Sequence, residues 1–315
     1  MFSRVWIDFL LFNNIIDMLI TVEVSFNQPR FRPSTIWNSN ATTFANETVI
    51  FVNSKNSIYI PSKKTGEILI WYNSSNDKLS KKISSSLLNP SSIFVTINGD
   101  IYIDNGRIDK WTAANERWTS VMNVTSTCYA IFIDIYESLY CSMLDNHRVD
   151  KKWSNGRTTI VAGSELNTLN HPWGIFVDIN LDLYVADSGN NRIQLFRLNQ
   201  RNGITVAGNS STNVTIELNE PTGVVLDGDR HLFIVDKGNH RIIGSDEYGF
   251  RCIFGCSTND KLSDPISMSF DSYGNIYVTN LGNNRIQKIS LSKPSDRKCE
   301  NCSIFSYDEN LFVYL

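Results

Sequence analysis

The chain has 315 residues, a formal net charge of −3, 42% hydrophobic residues and 19% charged residues. That is enough apolar material for a large core, and repetitive all-β chains of this length often form one domain. There is no basic excess and no Lys/Arg run longer than two, so a nucleic-acid surface and a polybasic membrane patch are both excluded.

Residues 1–30 read as a leader. Arg4 precedes an apolar-leaning stretch from Val5 to Val24, interrupted by Asp8, Asn13, Asn14 and Asp17. A membrane-spanning helix needs about 20 mostly apolar residues, and an aspartate within it is costly. No membrane insertion is expected. The stretch is either a poorly formed secretory signal or a damaged one. Ser34–Phe44, "STIWNSNATTF", has the composition of a strand.

A repeat then runs through the chain. The anchors Asn53, Thr96, Asp134, Asp178, Asp227 and Asp271 recur about every 44 residues, the period of propeller blades. An aromatic follows each by six: Tyr59, Tyr102, Tyr140, Tyr184, Phe233 and Tyr277. Arg148, Arg192, Arg241 and Arg285 stand eight further on; Glu67 holds that slot in the first copy, and Arg107 comes three early in the second. Six residues before the anchor stand Pro90, Pro172, Pro221 and Pro265, with Glu47 and Cys128 in the first and third copies.

Each unit gives two apolar runs joined by a polar turn, then a Gly/Asn turn and a third strand, then a fourth β-rich segment such as Thr158–Ala162. No helical period is present. Four antiparallel strands repeated six times, each sheet needing neighbours to cover its faces, predict an all-β, six-bladed propeller over residues 34–291. Its ring is expected to close through Ser34–Phe44 lying beside Arg285–Ile289, with Ser303–Tyr307 as the alternative, because an unpaired edge invites aggregation.

Pro172–Phe196, Pro221–Ile243 and Pro265–Ile289 resemble the NHL repeat, and Asn239-His240-Arg241 and Asn146-His147-Arg148 sit where that family's name-giving Asn-His step falls. The resemblance implies a six-bladed propeller and leaves the function open.

Six cysteines allow fifteen full pairings, so connectivity is not deducible; Cys252 and Cys256 are close enough to bridge a small loop. Residues 292–315 form a tail in which Cys299 and Cys302 make a lone CxxC, weak evidence for zinc. Sequons at Asn40, Asn46, Asn73, Asn123, Asn209, Asn213 and Asn301 permit glycosylation without arguing for it.

The recurring acids and arginines, such as Asp187 with Arg192 and Asp236 with Arg241, read as scaffold, since one active site does not need several copies. The anchor aspartates could ring the channel mouth around a cation, but capping the first turns is the preferred role. His147, His171 and His240 fall on one face of the ring and His231 on the other; two of the three fill a family turn slot, so no metal is expected. Trp71, Trp111 and Trp153 end third strands, where packing between blades explains them. Trp173 alone follows the proline slot as a tryptophan.

The expected function is a non-catalytic binding module without cofactor, presenting loops to a protein, peptide or glycan ligand. The expected contact residues are Trp173, His171, Asn105, Ser188, Asn190, Lys237, Asn239 and Asn283. That face is polar rather than cationic, against the RNA binding that some NHL proteins perform. The protein is expected to be secreted or extracellular, and a monomer. The alternative is a metal-dependent lyase or lactone hydrolase, since those enzymes also use six-bladed propellers.

Overall fold

The computed structural model describes residues 4–6, 21–73, 79–85, 90–163, 169–211, 215–257 and 262–292. Cys299, Cys302, Asn213, Asn301 and Ser303–Tyr307 lie outside the described residues, as does most of the expected leader. The described residues form six four-stranded antiparallel sheets arranged as the blades of a ring. A short antiparallel pair, Arg4–Trp6 with Thr21–Glu23, precedes them.

The first blade holds Phe51–Val52, Ile58–Pro61, Glu67–Trp71 and Lys81–Ser84; the second Ile93–Val95, Ile101–Asp104, Ile108–Thr112 and Arg117–Met122. The third holds Cys128–Ile133, Leu139–Met143, Arg148–Lys152 and Thr158–Ala162; the fourth Pro172–Val177, Leu183–Asp187, Arg192–Phe196 and Ile204–Gly208. The fifth holds Pro221–Leu226, Leu232–Asp236, Arg241–Asp246 and Gly249–Phe254. The sixth joins Pro265–Phe270, Ile276–Asn280 and Arg285–Ile289 to Thr42–Ala45 from the start of the chain. In each blade the first strand listed is innermost and the last outermost, the sixth blade's outer strand being Thr42–Ala45. The second strands of blades three to six are buried at every position, because a neighbouring blade covers each face. They therefore read as continuous apolar runs rather than alternating ones.

Ring closure follows the expectation with a shorter strand. Ala45, Thr43 and Thr42 pair with Ile286, Gln287 and Lys288. The segment before them leaves the blade: Trp37 is buried, its Nε1–H donates to the Gly274 carbonyl at 2.9 Å, and it bridges to Leu291.

The anchor residues explain the first turns. The side-chain oxygen of Asp134 accepts the amides of Tyr136 and Ser138, each at 2.9 Å. Asp178, Asp227, Asp271 and Asn53 do the same for their own turns. Thr96 accepts one amide, that of Asp100. These are Asx-type turns, which the short polar side chain closes locally. On the opposite face the second turns of blades four to six are single 3-10 turns, each ended by a left-handed residue: Asn191, His240 and Asn284. His147 shares that conformation. Asn and His tolerate it better than most side chains, which is the backbone reason for the Asn-His step.

Residues 24–31 lie across the lower end of the ring, the face that carries the anchor turns. The Phe26 ring packs 5.3 Å from that of Phe132 and 4.9 Å from that of Phe176. Phe51, Phe94, Phe132 and Phe176 occupy the same place in successive inner strands and are in ring contact at 4.8, 5.0 and 5.3 Å. Phe31 packs on Trp37, Phe233 and Phe270. The boundary drawn at residue 30 for a leader therefore falls inside a segment packed on the propeller.

Two disulfides form, Cys252–Cys256 as expected and Cys128–Cys141 within the third blade. No helix among the described residues is long and apolar enough to cross a membrane.

Candidate functional site

The upper end of the ring opens into a cavity of about 130 Å³ lined by the inner strands of blades two to six and by Thr48, Val49 and Ile50, which lead into that of blade one. The residue following the proline slot in each repeat lines it: Thr48, Ser91, Tyr129, Trp173, Thr222 and Ile266. The mouth is thus written at one position of the repeat, and the variation at that position is its chemistry. Two aromatics stand side by side, with Tyr129 and Trp173 rings 4.7 Å apart in an edge contact. Opposite them are hydroxyls and aliphatic groups. No acid or base is among these six residues.

The backbone of this rim is braced from blade to blade. Ser92 Oγ donates to the Cys128 carbonyl at 2.8 Å, and Thr222 Oγ1 to that of Pro265 at 3.1 Å. Ser142 Oγ holds the Trp173 carbonyl and Ser188 Oγ that of Pro221. Gly174 allows the close approach beside Trp173, since a Cβ there would meet the Thr222 carbonyl at 2.5 Å. Thr48 differs from the other mouth hydroxyls. It is 6% exposed, and its Oγ1 has no hydrogen-bond partner among the described residues. A buried polar atom without a partner is costly, and a ligand group would satisfy it.

The structure divides the expected contact residues. Trp173 lines the mouth, and Lys237 Nζ lies 5.7 Å from the centroid of its ring while pairing with Glu220 at 3.1 Å. Asn190 and Asn239 serve the scaffold, each donating at 2.9 Å to the aspartate that ends its second strand, Asp187 and Asp236. Those aspartates also hold Arg192 and Arg241 at 2.7 and 2.8 Å. Ser188 is a latch, as above. Asn105 and Asn283 sit in the upper turns of blades two and six. His171 donates its backbone amide to Nδ1 of His147 at 3.0 Å, and the two rings meet edge to face at 4.6 Å. Asn191 performs the same task one blade on, accepting the Glu220 amide at 2.8 Å. These two slots tie one blade to the next. Among the described residues no three His, Cys, Asp or Glu side chains are grouped so as to hold a metal ion.

Sequence reasoning missed Tyr129 and Thr48. Both stand one residue after the slot that marks Trp173, so the alignment contained the signal. It also missed the buried cation of the lower face. Lys151 is 2% exposed and donates to Asp134 at 2.9 Å and Tyr140 Oη at 2.6 Å. Burial and the Asp134 carboxylate push the Tyr140 phenol above its ordinary range. The same phenol in the second blade, Tyr102, lies near Lys110, and in the fourth Tyr184 meets Arg230 from the fifth. The first two pairs brace neighbouring strands of one blade, and Arg230 ties the fifth blade to the fourth.

This architecture defines a six-bladed β-propeller with a polar, aromatic-walled upper mouth and a covered lower end. The NHL repeat model matches residues 169–196 and 218–244, so the fourth and fifth blades of this six-bladed propeller are NHL repeats. No curated protein matches it in sequence. Among solved structures it is similar to an auxiliary nutrient binding protein from Bacteroides ovatus, at 14% identity and a TM-score of 0.63, covering 86% of this chain and 77% of that one. It is also similar to virginiamycin B lyase from Staphylococcus aureus, at 13% identity and a TM-score of 0.58, covering 81% of this chain and all of that one. A chain of a nidogen/laminin complex matches at 16% identity and a TM-score of 0.58, covering 72% and 87%. At such identities the likeness concerns the fold.

Proposed function

We propose that the protein is a non-catalytic binding module whose upper mouth takes one protruding group of a protein, peptide or glycan partner. The observation that carries this is the mouth itself: two aromatic walls and an unpartnered, buried Thr48 hydroxyl around about 130 Å³. Pockets that enclose a whole small ligand run to about 300–1,000 Å³, so this one suits a side chain or the edge of a sugar ring. Aromatic faces and neutral hydroxyls recognise such groups without a charge. The similar solved structures include proteins described as nutrient-binding and a chain of a nidogen/laminin complex, which agree with a binding role. They also include a lyase, which keeps the enzymatic reading as the alternative.

An extracellular setting belongs to this reading. Two disulfides support an oxidising compartment, and Asn40, Asn46, Asn73, Asn123 and Asn209 are all exposed. The test is a binding screen of the purified chain against extracellular proteins, peptides and glycans. Trp173→Ala and Thr48→Val are expected to weaken a true hit at least tenfold. Hits unaffected by both variants, or stoichiometric zinc or calcium whose chelation abolishes a lyase or lactonase activity, would overturn it.

A further inference from the structure

A second concavity lies far from the mouth, on the outer side of the ring between blades three and four, with a volume of about 350 Å³. Its existence has a local cause. The residue three after each anchor is held at positive φ, and in two blades its side chain reaches the preceding blade. Arg230 in that slot fills the joint between blades five and four, meeting Asp178 at 2.7 Å, Asp182 at 3.3 Å and Tyr184 Oη at 3.3 Å. Asn56 fills the joint between blades one and six, bonding Ser272 at 2.7 Å. In blade four the slot holds Leu181, at φ +64°. Leucine is unfavourable there by about 1–2 kcal/mol. Its short apolar side chain makes no polar link to blade three, and the joint stays open, with Leu181 on its wall.

The open joint has a consistent chemistry. Three arginines line it, Arg157, Arg197 and Arg201, beside Lys151, whose charge Asp134 balances; no acidic residue is among the described lining residues, on a chain of net charge −3. Arg157 and Arg197 are exposed and form no ion pair with a described residue. Between the cations the surface is apolar: Trp153 and Phe196 line the groove, and Ile160 and Leu198 are 49% and 43% exposed. One wall is Thr159–Val161, part of the outermost strand of blade three, whose outer edge pairs with no other described strand.

We infer that this groove binds an extended acidic peptide carrying an apolar or aromatic side chain. The carboxylates meet Arg157 and Arg197, the apolar group lies over Trp153 and between Ile160 and Leu198, and the peptide backbone runs along the free strand edge. Strand addition supplies main-chain hydrogen bonds while side-chain pockets give specificity. Arginine is suited to bidentate contact with carboxylates. The site is separate from the upper mouth, so each reading can fail alone.

The probe is a fluorescein-labelled peptide, Gly-Asp-Phe-Glu-Leu-Asp-Gly, with its Asn/Gln twin as control, read by fluorescence anisotropy on the full chain. The acidic probe is expected to bind at least tenfold tighter than its twin, with affinity falling as salt rises. Leu181→Arg, which copies the filled joint next door, and the surface double variant R157E/R197E are each expected to weaken it at least tenfold. Trp173→Ala is expected to leave it unchanged. Equal binding of the two peptides would overturn the inference. So would full binding by R157E/R197E, or by folded Leu181→Arg. A heparin-derived oligosaccharide that binds this groove in preference to the peptide would overturn the choice of partner.

Discussion

The side-chain amide of Asn27 donates to the main-chain carbonyl of Phe270 at 3.1 Å across 243 residues of chain. The same nitrogen donates to the Asn53 carbonyl at 2.7 Å, so one buried amide ties the first blade to the last. The paired outer strand is therefore not the sole closure of the ring; the lower crossing segment is a second one. Asn27→Ala removes both bonds, each worth about 0.5–1.5 kcal/mol net, while the Asn53 carbonyl keeps the Asn56 amide. A lower urea midpoint is expected. An unchanged midpoint would show that the lower segment contributes nothing to closure.

Lys151 and Asp134 form an ion pair whose side chains are 2% and 1% exposed. Removing one partner of such a pair leaves an uncompensated buried charge, typically costing about 3–5 kcal/mol. Lys151→Met is therefore expected to destabilise strongly despite its added apolar packing. Asp134→Asn in the same chain removes the orphaned charge, and the double variant is expected to recover part of the loss. Denaturant unfolding of the single and double variants checks this. Strictly additive losses would contradict the pairing.

Much of the fold was legible because a propeller repeats its local chemistry. The anchor at Asp134, Asp178, Asp227 and Asp271 is a turn closed within a few residues, so its signal is in the chain at each copy. Closure through the first strand followed from counting strands, though Trp37 shortened it by turning to Gly274. What stayed hidden depends on contacts made once. The segment around Phe26 and Asn27 has no periodicity, and its apolar content read as a leader. Lys151 drew no notice in the sequence, because nothing local reports that Tyr140 and Asp134 converge on it. Of the candidate site, Trp173 was found because it broke the pattern at its slot, while Tyr129 and Thr48 needed the ring to bring all six slots together.

The two disulfides close loops of different length, with sequence separations of 13 and 4. On the chain-entropy model these are worth about 3 and about 2 kcal/mol. Cys128→Ser/Cys141→Ser is also expected to disturb more packing, since both cysteines are fully buried within the third blade. Its thermal midpoint is expected to fall further than that of Cys252→Ser/Cys256→Ser. The reverse order, in calorimetry of the two double variants, would mean that the short loop near Phe254 carries more of the native constraint than its length allows.

Asp104 offers a test in pH. Its carboxylate accepts the Gly106 amide at 2.9 Å and reaches the next blade at the Cys128 amide, 2.7 Å away. Burial holds this carboxyl above its ordinary value of 3.8, and the two amide bonds only partly offset that. The folded protein therefore keeps the proton to higher pH than the unfolded chain does. Where the folded state binds more protons, stability falls with rising pH. The contribution of Asp104 is fullest below 3.8 and declines as pH rises through its folded value. Asp104→Asn cannot titrate and loses one acceptor, so it is expected to be less stable than the parent, and by a margin that narrows as pH rises from 3.8 through the raised folded value. Asp178, also raised mainly by burial, is untouched in both chains and cancels from the comparison. A margin that widens over that range would mean the carboxylate is held in its charged form, with the two amide bonds outweighing burial.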